Sequence, residues 1–263
     1  MSRPAKQERV VFFGDGPLAD VALRVLERMK VRCSAIVVHP RGRNCTAGRL
    51  QAIARLSHSH VIRVDRAGTV SRKRLNAIRP TLGLCAGFGY RLAPDVLACF
   101  PKGVWNLHTS YLPYNRGAFP NVWAILDKTP AGATLHRMDA GLDTGPILAR
   151  IRVKIRAWDT GETLYLQQME AAAILLQRNW NRLLRGRFRL HRQPACGTFH
   201  RRKDVERTDE IPLQRLVRAG DLIDLLRART FPPFSGAWFR ADGRRIFLRL
   251  FLEPAIPTQK VSR

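Results

Sequence analysis

Acidic residues are scarce in this chain. Its 263 residues hold 20 Asp and Glu against 46 Lys and Arg, a net charge of +26. Such an imbalance suits a polyanionic partner: RNA, DNA or a nucleotide diphosphate. It also arises when Arg is spread over solvated faces. The cations fall almost everywhere, at Arg41, Arg43, Arg49 and Arg55, at 72–74, across 182–192 and at 201–203. With no single basic arm and no basic helix interleaved with aromatics, the distribution does not favour a dedicated nucleic-acid binder. Long apolar runs are missing too. None approaches the ~20 residues of a membrane span, so no membrane association is expected. The first nine residues lack the apolar centre of a secretory signal. Cys33, Cys45, Cys85, Cys99 and Cys196 are scattered and form no Cys-x-x-Cys. They read as reduced thiols of a cytoplasmic protein, and no metal site is expected. Internal repeats are absent.

What is present is apolar residue enough for a full core, 45% of the chain, which argues against disorder. Short apolar runs at 9–14, 31–38, 61–64, 82–85 and 103–107 read as strands. Helical spacing lies between them. Pro17 opens a pattern through Leu18, Val21, Ala22, Val25 and Leu26. Further helices are expected at 46–57 and at 75–78, before Pro80. The alternation predicts an α/β, Rossmann-like fold with a mostly parallel sheet and helices on both faces. Runs at 132–138 and 147–155 add two strands, and 160–184 is the strongest helix, with Thr160 as its cap. Composition shifts near Gln193-Pro194. This predicts a catalytic domain over 1–195 and a small α+β subdomain over 196–263, packed on the first. Within the subdomain, residues 211–226 should contain a helix, followed by two strand-like runs.

One further absence matters. Gly14-Asp-Gly16 after the first strand resembles half of a dinucleotide fingerprint. The acidic residue that would hold a ribose at the end of the second strand is not there; Val38, His39 and Pro40 are. A turn joining strand to helix is the better reading, and a nicotinamide cofactor is discounted.

The chemistry concentrates between Gly103 and Pro146. Asn106 and His108 alternate, so they share one face of an extended segment. They end a strand, where ligands bind in such sheets. Asp143 follows in a loop flanked by Gly141 and Gly145. Each alone has an ordinary structural reading: a loop cap, a packed histidine, a turn. His136, His200 and the pair His58/His60 are read as structural, since none has ligand spacing with a partner. Together, amide, imidazole and carboxylate suit the transfer of an acyl group to an amine. An amide N–H aimed at a carbonyl oxygen that gains charge is worth roughly 3–4 kcal/mol. An imidazole can donate to that oxygen or shuttle the amine's proton. A carboxylate beside the ring would orient it and favour its charged form, or accept the proton through water. No Cys or Ser nucleophile is required.

Asn106-Leu-His108, then Ser110-Tyr-Leu-Pro113, Arg116-Gly117, Pro120 and Leu142-Asp143-Thr144-Gly145, resembles the folate-dependent formyltransferase family. The resemblance runs over about 9–190. It implies a Rossmann-like catalytic domain using N10-formyltetrahydrofolate, with Asn106, His108 and Asp143 as the catalytic three. It implies a pterin pocket lined by Cys85, Phe88, Gly89, Tyr90 and Leu92 and closed by Met138, Asp139 and Asp143. It places Tyr111, Tyr114, Arg116 and Gly117 at the acceptor. The wording is most similar to enzymes that formylate nucleotide-linked amino sugars, so the expected partner is a nucleotide-diphosphate sugar. Methionyl-tRNA formyltransferases carry a longer C-terminal barrel, for which the chain is expected to be too short. Transfer RNA is therefore the second acceptor considered, an amino acid or peptide amine a third. A non-catalytic nucleic-acid binder on the same fold is the alternative outside enzymology. A homodimer is compatible with this reading.

Overall fold

Strand β1 (Val10–Gly14) is buried at all of its positions. Val10 and Phe12 enter one apolar cluster, while Val11 and Phe13 enter another on the opposite face. A strand covered on both faces reads as an unbroken apolar run rather than an alternation. The same holds for β2 (Cys33–Val38) and β4 (Leu82–Ala86). The computed structural model describes residues 8–40, 42 and 46–255. Cys45, Arg41 and Arg43 lie outside those residues.

The remaining strands are β3 (Val61–Arg63), β5 (Val104–His108), β6 (Arg116–Gly117), β7 (Ala131–Arg137), β8 (Ile147–Val153), β9 (Phe199–His200), β10 (Trp238–Ala241) and β11 (Arg244–Phe247). The helices are α1 (Gly16–Arg28), α2 (Ala47–Ala54), α3 (Arg72–Ile78), α4 (Pro94–Leu97), α5 (Pro120–Leu126), α6 (Gly161–Arg185), α7 (Arg202–Glu206) and α8 (Ala219–Ala228). A seven-stranded sheet runs in the order β3-β2-β1-β4-β5-β7-β8. Its first five strands pair in parallel. β7 and β8 are antiparallel additions. The fold is thus the expected Rossmann-like one, with a small antiparallel hairpin of β10 and β11 in the C-terminal part.

α6 has the cap its sequence suggests. Thr160 accepts from the Thr163 amide at 3.2 Å, and the Thr163 hydroxyl accepts from the Thr160 amide at 2.9 Å. Its buried Leu164, Leu175, Leu176 and Leu183 each contribute roughly 1.5–3 kcal/mol through burial.

The helix expected within 211–226 forms over Ala219–Ala228, in the second half of that stretch and two residues beyond it. Ile211 is instead held extended, its N–H donating to the Trp238 carbonyl at 2.7 Å. Pro212 then removes one donor from any helix begun there. The C-terminal part is packed on the first. β9 pairs with β6, and Val205 and Ala228 join Val122, Ile125 and Leu164 in one apolar cluster.

Candidate active site

The carboxyl end of β5 carries Asn106 and His108 on one face, with β4 and β7 on either side. Cross-strand register decides what meets them. Asn106 lies opposite His136 and His108 opposite Thr134. Opposed residues of an antiparallel pair face the same way. His136, read from sequence as structural, is therefore part of the site, and that reading is corrected. Its ring is buried, with Nε2 3.2 Å from Asn106 Nδ2. Its Nδ1 lies 3.2 Å from the Arg137 carbonyl. A carbonyl only accepts, so Nδ1 carries the hydrogen and, in the neutral ring, Nε2 accepts from Asn106.

The other amide hydrogen of Asn106 goes to Asp143 Oδ1 at 3.1 Å. Asp143 Oδ2 accepts from the Gly117 amide at 3.0 Å and lies 3.6 Å from His108 Nε2. Oδ1 lies 3.6 Å from His136 Nε2. His108 Nε2 also faces the Asn115 carbonyl at 3.3 Å, so its hydrogen sits on that nitrogen. The three residues predicted as catalytic thus meet around one carboxylate. Burial alone would raise the Asp143 pKa; the charge of His108 and the Gly117 amide outweigh it and hold the acid well below the carboxylate range.

Backbone geometry fixes that carboxylate. Asp143 sits at φ +55°, in the left-handed region, where Asp is among the better tolerated residues. Gln193 clamps the loop, its Nε2 donating to the carbonyls of Asp143 at 2.8 Å and Gly145 at 2.7 Å. Its Oε1 accepts from Arg116 Nη2 at 2.8 Å. Gly117 has φ +90°, and a Cβ there would stand 2.3 Å from the His200 carbonyl. Only glycine brings this amide to Asp143 while β6 pairs with β9.

Of the residues expected around a pterin, Cys85, Phe88, Tyr90, Leu92, Met138, Asp139 and Asp143 line a pocket with Asn106 and His136. Gly89 is not in its wall; its amide donates to His39 Nε2 at 3.0 Å. Asp15 accepts from His39 Nδ1 at 2.9 Å, fixing that tautomer. The His39 ring also packs on Phe88 and Tyr90, with centroids 5.4 and 5.1 Å away. The position that lacks a ribose-binding acid thus carries a histidine braced against the 86–92 loop. Burial, then the charge of Asp143, pushes the Cys85 thiol up, so it stays protonated.

Of the expected acceptor residues, Tyr111 lies under Arg150, whose guanidinium carbon is 4.2 Å from its ring centre. Arg116 is tied to Gln193 and Gly117 to Asp143. Tyr111 and Tyr114 are half-buried. His200 stacks on Trp123 at 3.9 Å and pairs with Asp127 at 2.9 Å, away from Asn106. Among the described residues, no group of His, Cys, Asp and Glu is arranged to hold a metal ion.

Comparison with known proteins gives the family. Residues 9–179 match the formyl transferase family model. Residues 204–254 match the N-formyltransferase dimerization C-terminal domain. A dTDP-4-amino-4,6-dideoxyglucose formyltransferase of Mycobacterium bovis is 34% identical over 155 residues, 59% of this chain and 66% of that protein, just under two thirds of its length. A methionyl-tRNA formyltransferase of Anaeromyxobacter dehalogenans is 32% identical over 90% of this chain and 77% of its own. A solved formyltransferase from Anoxybacillus kamchatkensis, in complex with a UDP-linked formamido sugar and tetrahydrofolate, superposes with a TM-score of 0.55 at 26% identity, covering 76% of this chain and 88% of that one. With the family model spanning most of the chain over the residues that build the site, this protein belongs to the formyl transferase family.

Proposed function

We propose that this chain transfers a formyl group from N10-formyltetrahydrofolate to the primary amine of a nucleotide-linked amino sugar. The observation that carries the reading is the meeting of Asn106, His108 and Asp143 around one buried carboxylate. The acceptor class rests on the relatives. One acts on a dTDP-linked amino sugar, and another was solved with a UDP-linked formamido sugar.

The pocket beside Asn106 has the chemistry for the donor's planar ring. Phe88, Leu92 and Met138 offer apolar faces, and Arg91 and Asp139 offer polar edges. It measures about 40 Å3, room for a water or so rather than a pterin. Arg91 donates to the Ala140 carbonyl across its mouth. The 138–143 loop therefore opens to admit the donor, with Cys85, Phe88, Tyr90, Leu92, Met138 and Asp139 as its contacts and Gly89 held behind them. N10-formyltetrahydrofolate supplies the formyl carbonyl. The chain's residues do the rest. His108 donates from its ring toward negative charge on the carbonyl oxygen. Asn106 gives up one of its two hydrogen bonds to do the same. Asp143, ionised throughout the working range, keeps His108 oriented, and the amine's proton passes through water to the folate nitrogen as the bond from that nitrogen to the formyl carbon breaks.

Tyr111, Tyr114, Arg116 and Gly117 flank the acceptor, and residues 1–195 form the catalytic unit that 196–263 completes. The chain works as a homodimer in the cytoplasm. Support for the dimer is twofold: the match of 204–254 and the exposed apolar side chains in that segment, Leu213, Leu216, Ile223, Phe234 and Phe247. No helix among the described residues is long and apolar enough to cross a membrane.

A second acceptor has an observation in its favour, since methionyl-tRNA formyltransferases align over nine tenths of the chain. Incubation with the donor and either a panel of dTDP- and UDP-linked amino sugars or charged initiator tRNA separates the two. Turnover on a sugar is expected. Formylation of the tRNA alone would overturn the acceptor, and no formylation of any amine would overturn the reading.

A further inference from the structure

A cavity of about 650 Å3 lies where β7 begins, β8 ends and α5 and α8 meet. It shares no lining residue with the pocket at Asn106. Its floor is apolar, from Ala124, Ile125 and Ala131. Lys128, Arg152, Lys154 and Arg227 line it, and no carboxylate does.

Register explains the cations. Along β8, Arg150 and Arg152 alternate with Ile151 and Val153. The apolar pair packs into the core with α6, leaving the arginines on the other face. Thr134 pairs with both His108 and Arg150, so this basic row shares a sheet face with the catalytic residues. Tyr111, packed on Arg150, stands between them.

Arg227 decides what the cavity asks for. It is only 9% exposed. Its Nε donates to Asp224 at 2.7 Å, and its Nη1 to the carbonyls of Arg156 at 3.2 Å and Asp159 at 2.9 Å. Its Nη2 has no partner among the described residues, and neither does the side chain of Arg152 or Lys154. Arg227 therefore has one amino group left to give an anion at the cavity wall, while the exposed Arg152 keeps its whole planar fork for phosphate oxygens. Lys128 lies 3.5 Å from Asp221 and 3.7 Å from Asp224. Four cations thus meet two carboxylates, an excess that a dianion would balance.

We propose that this cavity is a second binding site, for a phosphorylated organic anion, with its phosphate or diphosphate against Arg152, Lys154 and Arg227 and its body on the apolar floor. The volume falls within the roughly 300–1,000 Å3 of small-molecule sites. The site is separate from the formyl centre and does not depend on which amine is formylated.

The test is a titration of the whole protein with uridine diphosphate and, separately, inorganic pyrophosphate, using wild type and an R152Q/K154Q variant. Both side chains are exposed and unpaired, so the variant should unfold at the wild-type midpoint and keep the wild-type formyl-transfer rate. The wild type should show a uridine diphosphate binding event that the variant lacks or shows at least tenfold weaker. Pyrophosphate should compete for that event at least tenfold more weakly than the nucleotide. Identical isotherms for the two proteins would overturn the site. Equal affinity of pyrophosphate and nucleotide would overturn the organic part of the assignment. An RNA oligonucleotide that binds in place of uridine diphosphate, and only to the wild type, would reassign the cavity as a nucleic-acid surface and overturn the proposal. A protein inactive in formyl transfer would still read out every arm.

Discussion

Asn106 has both amide hydrogens engaged, with His136 and Asp143. The bonds fix the plane of the amide and set what its loss would do. Asn106→Ala and His108→Ala should each lower kcat at least ~100-fold, with a much smaller effect on KM, as for groups that act chiefly on developing charge. Steady-state kinetics check this, and near-normal turnover in either variant removes the assigned role. Asp143 has a consequence in pH. Its folded pKa lies below its unfolded value of about 3.9. The stability it contributes is therefore present above pH ~4 and lost as pH falls through the lower folded value. Urea denaturation of wild type and Asp143→Asn should differ by a constant above pH ~5 and converge in stronger acid. A difference independent of pH down to the acid limit would mean that the acid is not perturbed in the fold. His39 makes a separate claim, that it braces the 86–92 loop through the Gly89 amide. His39→Ala should raise KM for the folate donor at least several-fold while leaving kcat nearly intact. His39→Gln, whose carbonyl can accept the same N–H, should recover part of it. Equal effects of the two on kcat would point to general loosening instead. At this scale the sequence showed Asn106, His108 and Asp143 but passed over His136. Asn106 and His108 lie two apart in one strand, whereas His136 reaches them only through antiparallel register. A signal was present: Thr134 and His136 are polar at alternate positions of a strand that is apolar up to its terminal Arg137.

At the scale of elements, the site depends on loops held from a distance in sequence. Gln193 reaches back 50 residues to the Asp143 carbonyl and also anchors Arg116. Gln193→Ala should therefore raise KM for both substrates and lower kcat at least tenfold. Kinetics at saturating donor, then at saturating acceptor, would check this, and unchanged constants would mean that the loop is held by Gly117 and Gly145 alone. The strands and most helices were legible because apolar runs and 3.6-residue spacing report burial directly. The non-helical first half of 211–226 shows where that rule fails. Leu213, Leu216 and Val217 mimic an amphipathic face, yet they are exposed, and the segment around Ile211 is drawn to Trp238. Their apolar character reports a surface rather than this chain's own core. No local pattern separates the two cases.

For the whole molecule, the net charge and the exposed apolar residues point to different partners. The apolar ones gather in 204–254, the segment matched to a dimerization domain. Sedimentation should find a homodimer that Leu216→Glu with Phe247→Glu reduces to monomer, at little cost to monomer stability since both side chains are exposed. A wild-type protein that stays monomeric at high concentration would contradict the assembly. The charge is not spread idly in at least one place: four cations face the cavity between α5 and α8. That grouping was invisible in sequence, because Lys128, Arg152 and Arg227 come together only when β7, β8 and α8 pack.

The central claim is that one carboxylate gathers an amide and two imidazoles to move a formyl group between nitrogens. Single-turnover transfer from N10-formyltetrahydrofolate to a nucleotide-linked amino sugar, followed by the gain of one CO unit in the product's mass, tests it most directly. The account predicts rapid formation of the formamido sugar by wild type and loss of at least two orders of magnitude in Asn106→Ala, His108→Ala and Asp143→Asn, each still folded. Undiminished transfer in those variants, or none by wild type to any amine, would contradict it.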